Sequence, residues 1–359
     1  MSNLRIPGPV PLPQETLDLM STQMMNHRGP EYAQMLEQMT KNLQTVLMTK
    51  SEVYFITASG TGAMETAIVN TTSPGDKILS ISIGWFGERF AEISDAYGCE
   101  TIKISFEYGE FADPELVKST LLENSSIKAV LITHNESSTG VRNPLKDICE
   151  VIKSNSDALI LVDAVSSAAG SIISTDAWGI DVVATASQKS WIAPPGIAMV
   201  SFSDKAWEAY RNSKCPKYYY DIDQYREYLK IGQPPFTPSL TTMYTLYDSL
   251  QKMVDEGMES VFQRHANVAE FTRDLAKSIG LDILPEESYA SDTVTAIKLP
   301  EGVDGKTIVK EVEENYNIIL GGGQQKLAGK IIRIGHMGWI NQKDIEDSII
   351  ALKETLDLH

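Results

Sequence analysis

A lysine and an aspartate in this chain each follow an apolar run of strand length. Asp163 lies in LeuIleLeuValAspAlaValSerSer (159–167) and Lys189 in ValValAlaThrAlaSerGlnLysSerTrp (182–191), 189 − 163 = 26 residues apart. At the ends of two buried strands, such a pair suits pyridoxal phosphate. The lysine forms a Schiff base with the cofactor, and the carboxylate keeps the pyridine nitrogen protonated so that the ring accepts electrons. Alone, Asp163 is better explained as a helix N-cap and Lys189 as a surface lysine, so the prediction rests on the pair.

A glycine-rich segment, Ser59-Gly60-Thr61-Gly62, lies between a strand-like and a helix-like run. Backbone N–H groups at the start of a helix form an anion site, so the segment predicts phosphate binding. A turn that merely requires glycine explains the segment equally well. A dinucleotide-binding fingerprint does not fit, because Glu65 stands where the last glycine is needed. The strand expected at 77–82 also lacks the acidic residue that binds a ribose.

Strand-like and helix-like runs alternate over the first two hundred residues, which indicates a mostly parallel sheet covered on both faces. Several of the strands are continuously apolar, as a sheet buried on both faces requires. Strands are expected at 52–57, 77–82, 101–105, 128–133, 158–162, 181–185 and 197–202, and helices at 62–69, 87–97 and 144–154.

The flanking regions have a different character. Residues 1–14 are rich in proline and predict an extended arm. Helical stretches are expected at about 15–48, with an interruption at 27–30, and at about 240–279. The last part predicts a small α+β domain with strands at 293–299 and 330–335 and helices near 304–315 and 342–356. The expected organisation is therefore an arm at 1–14, a large cofactor-binding domain at 15–253 and a small domain at 254–359.

Composition excludes several classes of protein. The net charge of −17 argues against a general nucleic-acid-binding surface. No apolar run reaches the roughly 18 residues that a membrane span needs, and the N-terminal sequence lacks the pattern of a signal peptide. The three cysteines predict neither disulfides nor a zinc site, and the scattered histidines predict no metal site. A reducing cytoplasm is the expected compartment. We interpret Gly321-Gly322-Gly323 as a flexible turn, since no helix signal follows it.

Several segments together resemble the alanine–glyoxylate / serine–pyruvate aminotransferase family, among the class V aminotransferases. The resemblance extends over nearly the whole chain. It implies the α/β fold of pyridoxal-phosphate-dependent transferases, called fold type I, with a large, mostly parallel sheet domain and a smaller C-terminal α+β domain. The matching segments are ProGlyPro (7–9), AsnHisArgGlyProGluTyr (26–32), ThrHisAsnGluSerSerThrGly (133–140), LeuValAspAlaValSerSer (161–167), SerGlnLys (187–189), AlaProProGly (193–196) and IleArgIleGlyHisMetGly (332–338).

The resemblance also implies a role for each residue of the site. Lys189 matches the lysine that bonds to the cofactor and moves the proton, and Asp163 matches the partner of the pyridinium. Ring packing is implied for Val165 and Phe86, and a place beside the ring and substrate for Ser138. Phosphate contacts are implied for Ser59, Gly60, Thr61 and Gln188, and, from the neighbouring subunit, for Thr237. Arg333 is expected to bind the substrate carboxylate, and Gly8 to leave room for the substrate.

The implied function is that of a homodimeric aminotransferase with shared active sites. It moves an amino group from alanine or serine to glyoxylate or pyruvate by a ping-pong mechanism. The family's second cross-subunit contact, from a tyrosine, is in doubt because Pro234 stands at that position. Two alternatives stay open. One is a cysteine desulfurase, for which Cys215 has loop-like neighbours, and the other is a non-catalytic partner subunit of another enzyme such as a hydrogenase.

Overall fold

A computed structural model of the protein describes residues 3–359, and thirteen strands lie in that range. They are β1 (Asn3–Arg5), β2 (Glu52–Ala58), β3 (Lys77–Ser82), β4 (Glu100–Ser105), β5 (Ile127–Thr133), β6 (Asn135–Glu136), β7 (Val141–Arg142), β8 (Leu159–Asp163), β9 (Val182–Ala186), β10 (Gly196–Phe202), β11 (Val294–Lys298), β12 (Ile318–Gly322) and β13 (Ile331–Gly335).

Thirteen α-helices lie in the same range. They are α1 (Gln14–Leu19), α2 (Pro30–Val46), α3 (Gly60–Thr71), α4 (Trp85–Ala96), α5 (Pro114–Glu123), α6 (Leu145–Asn155), α7 (Thr175–Trp178), α8 (Asp204–Asn212), α9 (Ile222–Leu229), α10 (Leu240–Glu256), α11 (Met258–Ser278), α12 (Gly305–Tyr316) and α13 (Gln342–Leu356). None of these helices combines the length and the apolar composition that crossing a bilayer requires.

The large sheet has seven strands in the order β2-β10-β9-β8-β5-β3-β4. Strand β10 is antiparallel to both of its neighbours, and the remaining pairs are parallel. Every residue of β8 and of β9 is buried, as expected of central strands in a sheet covered on both faces. The predicted α/β fold with a mostly parallel sheet is therefore confirmed.

The two faces of the large sheet belong to separate apolar cores. Alternate residues of a strand point to opposite faces, and in β8 Ile160 and Val162 join one core while Leu159 and Leu161 join the other. Helices α2, α6 and α10 cover the first face, and α3, α4 and α8 cover the second. Burying each such aliphatic side chain contributes about 1.5–3 kcal/mol, so this double layer holds the strand ends firmly in place.

A second sheet of four strands has the order β1-β12-β13-β11. The N-terminal strand β1 pairs with β12 in parallel, and β13 is antiparallel to β12 and β11. The start of the arm therefore joins a sheet built otherwise from the last part of the chain. The predicted domain boundaries at 14/15 and 253/254 stay predictions.

Three details differ from the sequence prediction. Residues 20–26 are not helical, and there the hydroxyl of Tyr244 in α10 binds the backbone of Gln23 and Met25. The helical run expected at 240–279 is broken at Gly257, where φ is +84°. The turn predicted at 321–323 is wrong for its first two residues, which belong to β12. Gly321 lies so close to the arm that a Cβ there would be 2.8 Å from Cδ of Pro7.

Candidate active site

A cavity of about 340 Å³ lies where the carboxyl ends of the central strands meet the N-terminal arm. Parallel α/β sheets bind their ligands at this edge. The cavity brings together nine of the residues predicted from the sequence. They are Gly8, Ser59, Gly60, Thr61, Phe86, Asp163, Val165, Gln188 and Lys189.

A larger cavity of about 660 Å³ lies elsewhere, beside Trp178 and Phe262. Its arginine, Arg142, already forms an ion pair with Asp292. None of the predicted catalytic residues lines it. We therefore assign the chemistry to the smaller cavity.

Lys189 lies in the turn after β9, and only 8% of its surface is exposed. The alternative of a surface lysine is therefore wrong. Its Nζ donates a hydrogen bond to the carbonyl oxygen of Pro7. Burial, reinforced by repulsion from Arg333, lowers the pKa of the Lys189 amine to about 8, and the attraction of Asp163 opposes the shift. A lysine with this pKa has a substantial neutral fraction near neutral pH, as a nucleophile or a base requires.

Asp163 ends β8, and its backbone leads into a series of turns rather than a regular helix. The N-cap alternative therefore does not hold. One carboxylate oxygen, Oδ1, accepts from the backbone N–H of Val165 at 2.9 Å. The other, Oδ2, has a long contact of 3.4 Å with the hydroxyl of Thr133. Burial raises the pKa of Asp163 to about 7, so this carboxylate is suited to a cationic partner in the cavity.

The segment Ser59–Thr61 lies at the start of α3, with Ser59 at the N-cap position. Amide N–H groups in the first turn of a helix have no intrahelical acceptor, so this turn presents donors to the cavity. Gly60 is required by packing, since a Cβ there would be 2.7 Å from Val165. Gln188 also lines the cavity, and its Oε1 is buried with no hydrogen-bond partner among residues 3–359.

Phe86 is the second residue of α4 and is half-buried at the wall of the cavity. The guanidinium of Arg89, one turn later, lies 5.0 Å from the centroid of the Phe86 ring and 5.9 Å from that of Trp85. This cation–π contact fixes the ring from one side. Arg89 also lines the cavity and was not predicted as a site residue.

Arg333 lies on β13 and is only 6% exposed, so the alternative of an exposed edge residue is wrong. Its guanidinium donates to the carbonyl oxygens of Gly322 and Ser137 and to Oε1 of Gln324, at 2.7–3.2 Å. These partners are all neutral, and Ser137 lines the cavity. Burial lowers the pKa of Arg333 to about 10, and Glu136 opposes that shift. A buried guanidinium with only neutral hydrogen-bond partners is suited to binding a carboxylate.

Besides Arg333, which reaches the cavity only through Ser137, two of the predicted residues are not among those that line it. Ser138 is fully buried behind the wall, where its hydroxyl contacts Glu136 and the backbone N–H of Trp85. Thr237 is exposed on the surface ahead of α10. The roles assigned to both residues stay predictions.

Sequence reasoning also missed Asn135 and Glu136, which form the short strand β6 directly ahead of Ser137. Asn135 lines the cavity, with its amide nitrogen bound to Ser166 and Thr293. Glu136 has no solvent exposure at all. Both residues stand inside a segment that resembled the family, but their partners are far away in the sequence, so no local pattern indicated them.

The cavity fits the pyridoxal phosphate expected from the sequence. The first turn of α3, with backbone N–H donors that have no intrahelical acceptor, suits a phosphate. Asp163 and the buried Lys189 suit the pyridine nitrogen and the aldehyde. Gly8 also lines this cavity, and a Cβ there would lie within 3 Å of the Lys189 side chain. A larger residue at position 8 would therefore take up space that the lysine and the cofactor need.

Comparison with known proteins is consistent with this site. The profile of the aminotransferase class-V family matches residues 14–345. A serine–glyoxylate aminotransferase of Arabidopsis thaliana is 35% identical over 95% of this chain and 86% of its own. A soluble hydrogenase 42 kDa subunit of Anabaena cylindrica is 41% identical over 98% of this chain and 92% of its own. The crystal structure of an alanine–glyoxylate aminotransferase from Nostoc sp. has a TM-score of 0.95 at 30% identity, covering 99% of this chain and 95% of that one.

Proposed function

Because this chain belongs to the class V aminotransferase family, we propose that it transfers the amino group of alanine or serine to glyoxylate or pyruvate. The cofactor of the family is pyridoxal phosphate, which stabilises the negative charge left on the substrate when the amino-bearing carbon loses its proton. The protein is an aminotransferase, and its substrates are the proposed part. The two half-reactions are proposed to share one cavity in a ping-pong sequence.

The observation that carries the proposal is the placement of three charged groups around one cavity. Lys189 and Asp163 line it, and Arg333 reaches its edge through the carbonyl of Ser137. All three side chains are buried. Burial raises the pKa of Asp163 and lowers the pKa of Lys189 and of Arg333, and both directions favour the neutral form of the group. Buried charges of this kind are costly unless a ligand or partner compensates them, which supports a functional role.

Lys189 is the group proposed to bond to the cofactor and to move the proton of the substrate. With a pKa of about 8, about a tenth of the amine is neutral at neutral pH, against less than about a thousandth for an ordinary lysine. Asp163 is proposed to hold the pyridine nitrogen in its protonated form through Oδ2. Its Oδ1 is already held by the N–H of Val165, which keeps the carboxylate facing the cavity.

Arg333 is proposed to bind the carboxylate that amino acids and oxo acids share. Its Nε and Nη2 both donate to one carbonyl oxygen, that of Gly322, so the plane of the guanidinium is fixed before a substrate binds. Four of its five N–H groups already have protein acceptors, so a substrate carboxylate bound by Nη1 and Nη2 together is proposed to take the place of the Gln324 side chain.

A homodimer with shared active sites is part of the proposal. Thr237 is exposed and is not among the residues that line the cavity of its own chain, so its proposed phosphate contact requires a second subunit. The adjacent aromatic surface supports this arrangement. Phe236 stacks on Tyr219 at 4.8 Å, and the ring of Tyr218 beside it is 73% exposed.

The cysteine desulfurase alternative is disfavoured by the cysteines. Such an enzyme needs an exposed, reactive thiol, and Cys99, Cys149 and Cys215 are all buried. Burial raises the pKa of the Cys215 thiol, which makes it less reactive. The side chain at the predicted stacking position is Phe86, whereas desulfurases resembling this chain have a histidine there.

The name of the Anabaena relative suggests a second candidate role, as a subunit of a hydrogenase. A purely structural subunit would not need a buried lysine, aspartate and arginine around one cavity. The purified protein discriminates between the two roles. If added pyridoxal phosphate produces no visible absorbance band distinct from that of the free cofactor, the subunit role is favoured.

A panel of amino donors against glyoxylate and pyruvate tests the proposed substrates. We expect alanine or serine to give the highest kcat/KM, and parallel lines in double-reciprocal plots at several acceptor concentrations. Aspartate and ureido amino acids belong in the panel as competitors. A preference for one of them would overturn the substrate assignment but not the aminotransferase chemistry.

A further inference from the structure

The first three residues of α4 donate their backbone N–H groups to a loop about fifty residues further along the chain. Phe86 and Gly87 donate to Oε2 of Glu136 at 2.9 and 3.1 Å. Trp85 donates to the hydroxyl of Ser138 at 3.1 Å. These are N–H groups that a helix cannot satisfy internally, so α4 is capped by a distant loop instead of by its own N-cap residue.

The N-cap residue of α4 is Gly84, which has no side chain to offer. A Cβ at this position would lie 2.5 Å from both Cγ of Glu136 and Oγ of Ser138. The glycine therefore makes room for the carboxylate that replaces the missing cap. The two features depend on each other, since a capping side chain at position 84 would displace Glu136.

The carboxylate of Glu136 acts only as an acceptor in its hydrogen bonds. Besides the two amides of α4, Oε1 accepts from the backbone N–H of Ser138 at 3.1 Å and from its hydroxyl at 2.6 Å. Four donors on two oxygens use the acceptor capacity of an ionised carboxylate and leave no place for a proton. The positive end of the helix also favours the charge. Burial raises the pKa of Glu136, and these four bonds oppose the shift.

The same loop contacts the predicted carboxylate-binding arginine. The carbonyl oxygen of Ser137 accepts from Nη1 of Arg333 at 2.9 Å. One three-residue segment thus joins Phe86, carried by a helix of the large sheet, to Arg333, carried by a strand of the small sheet. Glu136 is the anchored member of that segment, because it is fully buried and all of its acceptors are used.

We propose that Glu136 is a positioning residue that sets the place of the Phe86 ring against the cofactor. It binds the amide of Phe86 itself, so a shift of the carboxylate moves the ring directly. The inference rests on the proposed role of Phe86 as the residue that packs on the cofactor ring. Glu136 would act through Phe86 and would not itself touch the reacting atoms.

Glu136→Gln tests this role with a side chain of the same size. The amide oxygen of glutamine can still accept from Phe86 and Gly87, but its NH₂ group then faces the N–H of Ser138, which leaves that donor unpaired. We expect the cofactor-free protein to bind pyridoxal phosphate roughly tenfold more weakly, the size typical of one lost charge-assisted hydrogen bond. We also expect a smaller circular dichroism band from the bound cofactor, since the band reports how firmly the ring is held.

Glu88→Gln is the matched control. Glu88 lies two residues beyond Phe86 on the same helix, but its partners are Lys103 and Ser82 rather than residues of the cavity. The control should change cofactor affinity by less than about twofold, as a surface substitution does. If Glu136→Gln folds poorly, Glu136→Asp keeps the charge and shortens the reach, and the same loss of affinity is expected.

A double-mutant cycle with Phe86→Leu separates positioning from general destabilisation. If Glu136 acts through the ring, Glu136→Gln should weaken cofactor binding much less in the Phe86→Leu background than in the native one. Additive losses, or an affinity unchanged by Glu136→Gln, would overturn the proposal. Cofactor affinity and the circular dichroism band both report binding and do not depend on turnover. A protein that binds pyridoxal phosphate but transaminates no donor would therefore refute the proposed substrates, and this test of Glu136 would still apply.

Discussion

The Nζ atom of Lys189 donates a hydrogen bond to the carbonyl oxygen of Pro7, 182 residues earlier in the chain. The contact is one of a pair, because the backbone N–H of Val10 donates to the carbonyl oxygen of Gln188 at 3.1 Å. The N-terminal arm is thus hydrogen-bonded to two consecutive residues of the lysine turn, Gln188 and Lys189. The arm is part of the wall of the site, and the lysine amine is held in the cavity without a carboxylate as its direct partner.

The reactivity of Lys189 should depend on pH with a midpoint of about 8. Burial and Arg333 lower its pKa, so the neutral amine that bonds to the cofactor appears at a lower pH than for an ordinary lysine. We expect the rate at which cofactor-free protein captures pyridoxal phosphate to rise with pH and level off above about pH 8. Stopped-flow absorbance measures this rate, and Lys189→Ala, which should also abolish transamination, is the control. A rate still rising tenfold per pH unit well above that value would contradict the lowered pKa.

Asp163→Asn should impair the chemical step more than cofactor binding. The asparagine oxygen can keep the bond to the N–H of Val165, but a neutral amide cannot hold the pyridine nitrogen protonated. We expect kcat to fall about a hundredfold or more, as when an interaction made mainly in the transition state is removed. Steady-state kinetics and a cofactor titration check this together. An unchanged kcat with weaker cofactor binding would make Asp163 a packing residue.

Arg333→Lys should lower kcat/KM for every amino and oxo acid by about tenfold to a hundredfold. Lysine keeps the charge but loses the planar fork, and a lost charge-assisted hydrogen bond is worth roughly 1.5–3 kcal/mol. Arg264→Lys is the control, since Arg264 pairs with Glu256 at the surface. A loss confined to one donor would place Arg333 against the substrate side chain instead of the carboxylate.

Gly8→Ala should impair the site through contact with Lys189. Gly8 has φ of +102°, and a Cβ there would lie 2.7 Å from Cδ of Lys189. Gly302→Ala provides the control, because Gly302 has a similar φ of +89° but nothing within 4 Å. Both variants should lose about 1–3 kcal/mol of stability from the backbone conformation, and only Gly8→Ala should also slow cofactor capture. Equal kinetics in the two variants would show that the lysine has room to move.

Thr237→Ala should weaken cofactor affinity by about twofold to tenfold, the equivalent of one ordinary hydrogen bond. Thr237 is exposed, so the effect requires a second subunit at the cavity. Sedimentation of the forms with and without cofactor should show a dimer that the cofactor stabilises. A fully active monomer, or an affinity independent of Thr237, would show that each site is complete within one chain.

The elements that hold the catalytic pair could be predicted from the sequence because their signals are local. Strands β8 and β9 are rich in apolar residues. Each run ends at polar or charged residues, Asp163 in the first case and Gln188 and Lys189 in the second. The positions of Asp163 and Lys189 at one sheet edge then follow from the parallel arrangement. The family resemblance added Arg333 and the phosphate residues, which no local pattern brings into the same place.

The parts that could not be predicted depend on distant partners. Gly321 and Gly322 have little intrinsic strand preference, yet they form β12 because β1 and β13 pair with that strand. Residues 20–26 lie outside a helix, where Tyr244 of α10 binds the backbone of Gln23 and Met25. Glu136 could not be identified because the helix it caps is fifty positions away in the sequence. Each case is a tertiary contact that overrides the local preference of the chain.

The pairing of β1 with β12 has a consequence for biosynthesis. Residues 3–5 leave the ribosome more than three hundred residues before the strand that receives them, residues 318–322. Until then the arm has no sheet to join, and Pro7 has no fixed place beside Lys189. The lysine pocket is therefore completed only after β12 has been made, and a nascent chain that stops before Ile318 should be unable to retain the cofactor with native affinity.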